Sequence, residues 1–367
     1  MPVHSRQNVR PIAGLLVLCA ALLVQAPVFA DAAKAQAKLD SIRERFGYPG
    51  ISAAVAVNGT MVWADASGYS DLANKIEATP GTVYRLGSVS KMQAVAAVAL
   101  LVQERKLDLD APVQRYVPEY PEKDKGPITT RLLAGHLSGI PHYRLGDKKD
   151  TERPDYDNVI AAIAEYGDKP QMFVPGTQYQ YSTYGFNLIS AVVERAAGKP
   201  YPEYMHDAVW APLGMKNTRV ERFGENVPNL TNFYELSDAG EPVLAGAMHV
   251  SYKWAGGGTL STVEDLVRFG SAWLPMSAMF TAETRTLVFT SQRTSDGKET
   301  GVGIGWRIAK NNVGRTVYHH SGTIPGGRAC LVIRPDDGAV AAVLGNMLGK
   351  GNFDMPEVIG LADALLE

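Results

Sequence analysis

The spacing of apolar positions along the chain changes several times, and each change marks an element. Over 32–46, "AAKAQAKLDSIRERF" repeats its apolar positions at helical spacing without a breaker, which predicts a surface helix. The following "ISAAVAVNGTMVWADASG" sets two strand-like runs on either side of Asn58-Gly59, a dipeptide that favours the positive φ angles of a tight hairpin turn. In "GSVSKMQAVAAVALL", Met92, Val95, Ala99 and Val102 recur at intervals of three and four, so a helix beginning near Ser88 with one buried stripe is expected. Toward the C-terminus "VGIGWRIAK", "RTVYHHSG", "RACLVIRP" and "GAVAAVLGNM" are short runs parted by "NNVG", "TIPGG" and "PDDG", the pattern of an antiparallel meander. The chain closes on "MPEVIGLADALLE", which reads as a helix.

Between these ends, from about 107 to 300, helical patterns alternate with Pro- and Gly-rich loops. Two strands thus come from the start of the chain and three or so from its end. The economical arrangement is an α+β fold in which both chain ends build one antiparallel sheet, terminal helices pack on it, and the middle forms a mostly helical lobe. The expected partition is a sheet region of about 31–106 and 301–367 and a lobe of about 107–300. No internal repeat or low-complexity tract interrupts it.

The first thirty residues read differently from the rest. Met1 to Pro11 carry Arg6 and Arg10 but no acid; "IAGLLVLCAALLVQA" follows, then small residues around Ala30. That is the pattern of a secretory signal, too short for a comfortable membrane span, with cleavage expected after Ala30. Leu18 stands before Cys19 where a lipoprotein signal would want a small residue. The expected mature chain is 31–367, exported across the inner membrane to the periplasm, and no later apolar run approaches membrane length. Cleavage would leave 34 basic against 38 acidic residues, a formal charge of −4, which argues against nucleic acid and anionic surfaces as partners. Cys330 would then be the one cysteine, so no internal disulfide is available, and stability must come from a core that 46% hydrophobic residues can build.

Ser88 and Lys91 carry the candidate chemistry. Residues three apart share a helix face, so the hydroxyl and the amine meet. A serine hydroxyl is a poor nucleophile until a base takes its proton, and a lysine desolvated in a packed site has its pKa lowered enough to serve. At the positive end of a helix, the Ser88 backbone N–H is also placed to hold a developing oxyanion. Ser88 as a plain N-cap and Lys91 as a solvated helix residue explain the same letters. The chain supplies its own control, since Ser295 and Lys298 in "TSDGKE" match the pattern within an Asp-Gly turn that no apolar helix follows.

Two further segments supply partners: Tyr181 in "YSTYG", just before a helical stripe, and His320, Ser321, Gly322 and Thr323 at the end of the strand "VYHHSGT". With "YRLGSVSK", "LLAGHLSGIPHY" at 132–143 and "AGGGTLSTVEDLVRF" at 255–269, they resemble the serine beta-lactamase and penicillin-binding superfamily. Within it the chain is most similar to the class C branch, which holds class C beta-lactamases, D-alanyl-D-alanine carboxypeptidases, D-aminopeptidases and esterases of the same build. The resemblance runs from about residue 35 to the C-terminus and implies a DD-peptidase/beta-lactamase-like fold with the site between sheet and lobe. It implies Ser88 as the acylated nucleophile, Lys91 and Tyr181 sharing the acid and base work, and the backbone N–H groups of Ser88 and Thr323 as the oxyanion hole. Gly322 would let the strand lie close to the substrate. A tyrosine base would need its phenol pKa lowered, with Lys91 as the cation that lowers it.

Two positions depart from the class C pattern. Thr183 puts a hydroxyl where the Y-x-N motif has an asparagine amide for the substrate side-chain carbonyl. His320 stands where K-T-G has lysine, replacing a permanent charge by a mostly neutral ring. An efficient penicillin-destroying enzyme is therefore disfavoured. The expectation is hydrolysis of an ester or a small D-amino-acid peptide or amide through an acyl-enzyme on Ser88. A beta-lactamase or a carboxypeptidase acting on cell-wall peptides, and a non-catalytic penicillin-binding or assembly protein, are the alternatives. His319 and His320 are adjacent on a strand and point to opposite faces, so one of them faces the site, and the family register selects His320. The histidines lack metal-ligand spacing, so no metal is expected. With no G-x-S-x-G elbow, P-loop or strand-linked G-x-G-x-x-G, an alpha/beta-hydrolase is disfavoured and no cofactor is expected. His136 in "GHLSGIP" reads as a residue that orders its loop rather than as a triad base.

Overall fold

The computed structural model describes residues 1–2, 27–143 and 148–366. Both chain ends enter one sheet of seven antiparallel strands. The first part of the chain contributes β1 (Gly50–Val57), β2 (Thr60–Asp71) and the short β3 (Ile76–Glu77). The last part contributes β4 (Arg307–Lys310), β5 (Thr316–Ile324), β6 (Gly327–Arg334) and β7 (Ala339–Gly345). The order is β3-β2-β1-β7-β6-β5-β4, so the two ends of the chain meet at the β1–β7 pair, with Ile51 opposite Gly345 and Val57 opposite Ala339. Asn58 and Gly59 take φ of 50° and 78° between β1 and β2, the conformation their dipeptide favours.

Why β1 and β7 lack polar alternation follows from what covers them. On one face Ala53, Val55, Val332, Ala341 and Val343 pack under α1 (Pro27–Phe46) and the C-terminal helix Met355–Leu366. On the other, Ala54, Leu331, Val340 and Ala342 join the main core beneath the helix Val263–Ser271. Strands buried on both faces read as continuous apolar runs. The helix Val263–Ser271 falls within the residues assigned above to the lobe, yet it lies on the sheet. Gly270 is the reason it fits, because a Cβ there would stand 2.4 Å from Val340 Cγ1. The expected cleavage point after Ala30 falls in the first turn of α1, and the rest of the expected signal, residues 3–26, lies outside the described residues. Among the described residues no helix is long and apolar enough to cross a membrane.

The helix expected near Ser88 starts two residues later. Gly87–Val89 forms a 3-10 turn, and α2 runs from Ser90 to Gln103. It carries no single stripe, since Ser90 to Ala99 are all buried. The lobe covers the side that solvent would otherwise reach: α3 (Thr183–Ala197) and the short helix Trp254–Gly257 both pack on α2. A helix buried all round has no polar face to show. Lys91, at 0% exposure, is therefore far from the solvated residue that its letter allows.

Candidate active site

Three close backbone approaches build the cleft. The strand Tyr84–Arg85 ends at Leu86, Gly87 turns the chain at φ +49°, and Ser88 follows in the 3-10 turn. β5 lies against this turn so tightly that a Cβ on Gly322 would stand 1.9 Å from the Leu86 carbonyl oxygen and 3.0 Å from the Ser88 nitrogen. One on Gly87 would reach within 2.8 Å of the Thr323 nitrogen. Gly322 thus admits the nucleophile turn rather than the substrate, which corrects the expectation for that residue. Its effect is to bring the main-chain N–H groups of Ser88 and Thr323 onto neighbouring segments. Arg85 secures the arrangement: its Nη2 lies 2.6 Å from the buried Glu221 carboxylate, and its Nη1 donates to the Pro325 carbonyl at 3.1 Å, at the tip of the β5–β6 hairpin.

Ser88, Lys91 and Tyr181, from segments far apart in the chain, meet at one oxygen. Tyr181 Oη donates to Ser88 Oγ at 2.8 Å, and Lys91 Nζ lies 3.1 Å from the same atom. Lys91 Nζ also donates to Thr183 Oγ1 at 3.2 Å and to the Gly256 carbonyl at 2.5 Å. Burial, reinforced by the Arg307 charge, holds the Lys91 amine well below its usual range. In its neutral form the amine has two N–H bonds and one lone pair, so donating to Thr183 and Gly256 would leave the lone pair for the Ser88 proton. Burial pushes the Tyr181 phenol up, outweighing the hydrogen bond with Ser88 and the Arg307 charge. The lowered phenol pKa considered above is not found. Thr183, expected to face the substrate, borders the cleft but gives its hydroxyl oxygen to Lys91.

A cleft of about 610 Å³ opens over Ser88. His319, His320, Ser321 and Thr323 all border it. The expectation that one of the two histidines faces the site is corrected by topology. β4 pairs β5 only through His319, no further strand pairs that edge of β5 among the described residues, and both His319 and His320 border the cleft. His320 is buried, its Nδ1 donates to the Ser321 carbonyl at 2.7 Å, and burial keeps its pKa well below the usual range. Ser321 gives its hydroxyl proton to Asp354, which also borders the cleft. The Thr323 hydroxyl accepts from Arg328 Nη1 at 2.6 Å, leaving its main chain as the part beside Ser88.

Sequence reasoning missed three groups of the cleft. Arg307, exposed on β4 opposite His319, makes no ion pair among the described residues and places its guanidinium 5.8 Å from the centre of the Tyr181 ring. It supplies the cation that His320 lacks, and in the sequence only its place in a strand beside "HH" hinted at it. Lys253 and Asp150, which also border the cleft, form an ion pair of 2.5 Å. Lys253 precedes the apolar "WAGGG" run, an odd place for a charge and the one signal available. His142, with His136, grips the segment that carries Tyr181: Thr183 N donates to His142 Nδ1 and Ser182 N to His136 Nδ1, each at 3.2 Å.

Known proteins resemble this chain in sequence and in fold. A family model described as Beta-lactamase matches residues 35–364. The human mitochondrial serine beta-lactamase-like protein LACTB is 34% identical over 302 residues, covering 64% of this chain and 55% of its own length. The chain thus spans little more than half of that relative. Esterase EstB of Burkholderia gladioli is 33% identical over 206 residues, 51% of this chain and 52% of its own. Among solved structures, the octameric penicillin-binding protein homologue from Pyrococcus abyssi superposes with a TM-score of 0.77 at 26% identity, over 92% of this chain and 77% of its own. The D-amino acid amidase of Ochrobactrum anthropi SV3 gives 0.72 at 27% identity, over 92% and 97%.

Proposed function

The chain belongs to the Beta-lactamase family, and from that premise we propose that it is an exported serine hydrolase that cleaves an ester or a small D-amino-acid peptide or amide through an acyl-enzyme on Ser88. The observation that carries this reading is the convergence of Tyr181 Oη and Lys91 Nζ on Ser88 Oγ. As Oγ bonds to the substrate carbonyl carbon, its proton passes to the neutral Lys91 amine. The carbonyl oxygen takes the charge beside the N–H groups of Ser88 and Thr323. Tyr181 hands its proton to the departing oxygen or nitrogen, and the Lys91 ammonium restores it. Water then attacks the acyl carbon by the same route, its proton returning through Tyr181 and Lys91, and Ser88 leaves as the alcohol.

Arg307 sharpens the substrate class. A guanidinium at the cleft with no ion pair among the described residues favours a substrate that brings a carboxylate. That supports a short peptide with a free C-terminus, the alternative of a D-alanyl-D-alanine carboxypeptidase included, over a plain ester. Relatives named as an esterase and a D-amino acid amidase support the same chemistry. The leader-like composition of residues 1–30 supports export. Exposure of the protein to a fluorophosphonate should add one adduct to its intact mass, absent in Ser88→Ala. D-amino-acid amides and D-Ala-D-Ala peptides should then be turned over with higher kcat/KM than p-nitrophenyl acetate or a chromogenic cephalosporin. No adduct and no turnover with any of these probes would overturn the reading in favour of a binding protein.

A further inference from the structure

Tyr181 stands on a stretch before α3 that no sheet pairing holds among the described residues. Ser182, with φ −140° and ψ 123°, is the N-cap residue, and its hydroxyl accepts from Gly185 N. What fixes the stretch is the loop 136–142, through four bonds. Gln180 N donates to the His136 carbonyl at 2.9 Å and Ser182 N to His136 Nδ1 at 3.2 Å. Ser182 Oγ donates to the Pro141 carbonyl at 2.8 Å and Thr183 N to His142 Nδ1 at 3.2 Å. The same two rings also flank the phenol, with His136 4.4 Å and His142 5.4 Å from the Tyr181 ring centre.

We infer that His136 and His142 are positioning residues for Tyr181: each holds with its Nδ1 one of the two N–H groups that follow the phenol, and its ring flanks that phenol, so that the hydroxyl stays on Ser88. The inference rests on the acyl-enzyme reading given above.

One feature speaks against simple loop ordering at His136. With Nδ1 accepting, the ring proton is on Nε2, which is buried and has no hydrogen-bond partner among the described residues. An ordinary cap would be made by Ser, Asn or Asp without such an orphan. The residue sits at φ +60°, which Asn and His both adopt more readily than most side chains. A site that keeps an imidazole there despite the orphan is using the ring itself against the phenol. Burial, with smaller contributions from Lys91 and other nearby groups, holds the His136 pKa well below the usual range, so the accepting neutral form is in place at neutral pH.

The test is a double-mutant cycle on the full chain, read by kcat and KM for p-nitrophenyl butyrate and by the rate of Ser88 labelling with a fluorophosphonate. His136→Gly removes the acceptor and the ring without backbone strain, and His136→Asn keeps an acceptor near the Nδ1 position. We expect His136→Gly to lower kcat by ~10²-fold with little change in KM, as for a reacting group displaced by about an ångström. His136→Asn should recover part of that loss. In a Tyr181→Phe background His136→Gly should cost less than about 2-fold further, because a group acting through the phenol has nothing left to position. His142→Ala, at the half-buried edge of the cleft, should show the same loss of effect beside Tyr181→Phe and serves as the second cycle should His136→Gly fail to fold. Equal losses in the two backgrounds would overturn the inference while labelling of Ser88 in the unaltered protein leaves the acyl-enzyme reading standing. Absence of that labelling would overturn both.

Discussion

Ser88 and Lys91 sit where the chain turns through Gly87 into a helix buried on every side, whereas Ser295 and Lys298 sit on an exposed turn around Gly297 at φ +87°. The spacing of the letters is identical. At the first copy Lys91 is wholly buried, its amine is held by Thr183 Oγ1 and the Gly256 carbonyl, and the serine oxygen is shared with Tyr181. At the second, the backbone closes a local turn, with Thr294 N donating to the Lys298 carbonyl at 3.0 Å, and Lys298 N lies 3.3 Å from Asp296 Oδ1. The comparison separates what a motif contributes from what its surroundings do. Spacing brings a hydroxyl and an amine together, and only desolvation makes that amine a base.

The largest expected break in the comparison is at Lys91. Arginine keeps a cation at the position but offers no lone pair at any accessible pH. Lys91→Arg should therefore lower kcat/KM by ~10³-fold, within the usual range for a general base. In the unaltered protein log kcat/KM should rise with pH with unit slope and level off at the lowered pKa of Lys91, well under 10.5. A profile flat or falling through that range, or an active Lys91→Arg variant, would show that burial has not made Lys91 the base.

A smaller effect should be seen in stability. Below the folded-state pKa of Lys91 both folded and unfolded chains carry its proton, and above the unfolded value of about 10.4 neither does. Between the two the unfolded chain binds more protons, so stability rises with pH by at most about 1.4 kcal/mol per pH unit from this one group. Lys91→Met deletes that slope. The Thr183 hydroxyl and Gly256 carbonyl it leaves without a donor add a cost that does not vary with pH. Urea midpoints of both proteins across pH 7 to 10 should therefore diverge in slope, with the unaltered protein gaining relative to Lys91→Met as pH rises. Parallel curves would mean that Lys91 titrates as it would in water.

How much of this was legible in the sequence depends on how local the determining contact is. The Asn58-Gly59 hairpin, the last three strands and the helix after Tyr181 are set by turn chemistry and short-range period, and each lies where its pattern places it, whereas the run "VGIGWRIAK" becomes a strand only from Arg307 and makes a fourth C-terminal strand where about three were expected. The meeting of Ser88 with Lys91 follows from spacing. Its third member, Tyr181, came from family resemblance, since no periodicity links residues 93 apart in the chain. Groups defined by pairing between strands stayed hidden. Arg307 matters because β4 sets it opposite His319, and both histidines border the cleft where β4 stops pairing. Gly322 looked like room for a ligand, but the carbonyl that needs the room belongs to Leu86. The all-round burial of α2 was hidden as well, because the lobe that covers it begins far downstream and leaves no mark on the helix's own letters.

The sharpest form of the comparison predicts no effect at all at the second copy. Ser295 and Lys298 are exposed, and the turn that holds them is made by main-chain bonds and by Asp296 and Gly297, none of which needs either side chain. Surface substitutions away from such features change stability by about 0.5 kcal/mol or less. The double variant Ser295→Ala/Lys298→Ala should keep kcat/KM, the fluorophosphonate adduct on Ser88 and the urea midpoint of the unaltered protein. A second adduct lost, or a drop in turnover, would mean that two letters at the right spacing act without burial, and the reading of Ser88 and Lys91 as a site made by their surroundings would fall with it.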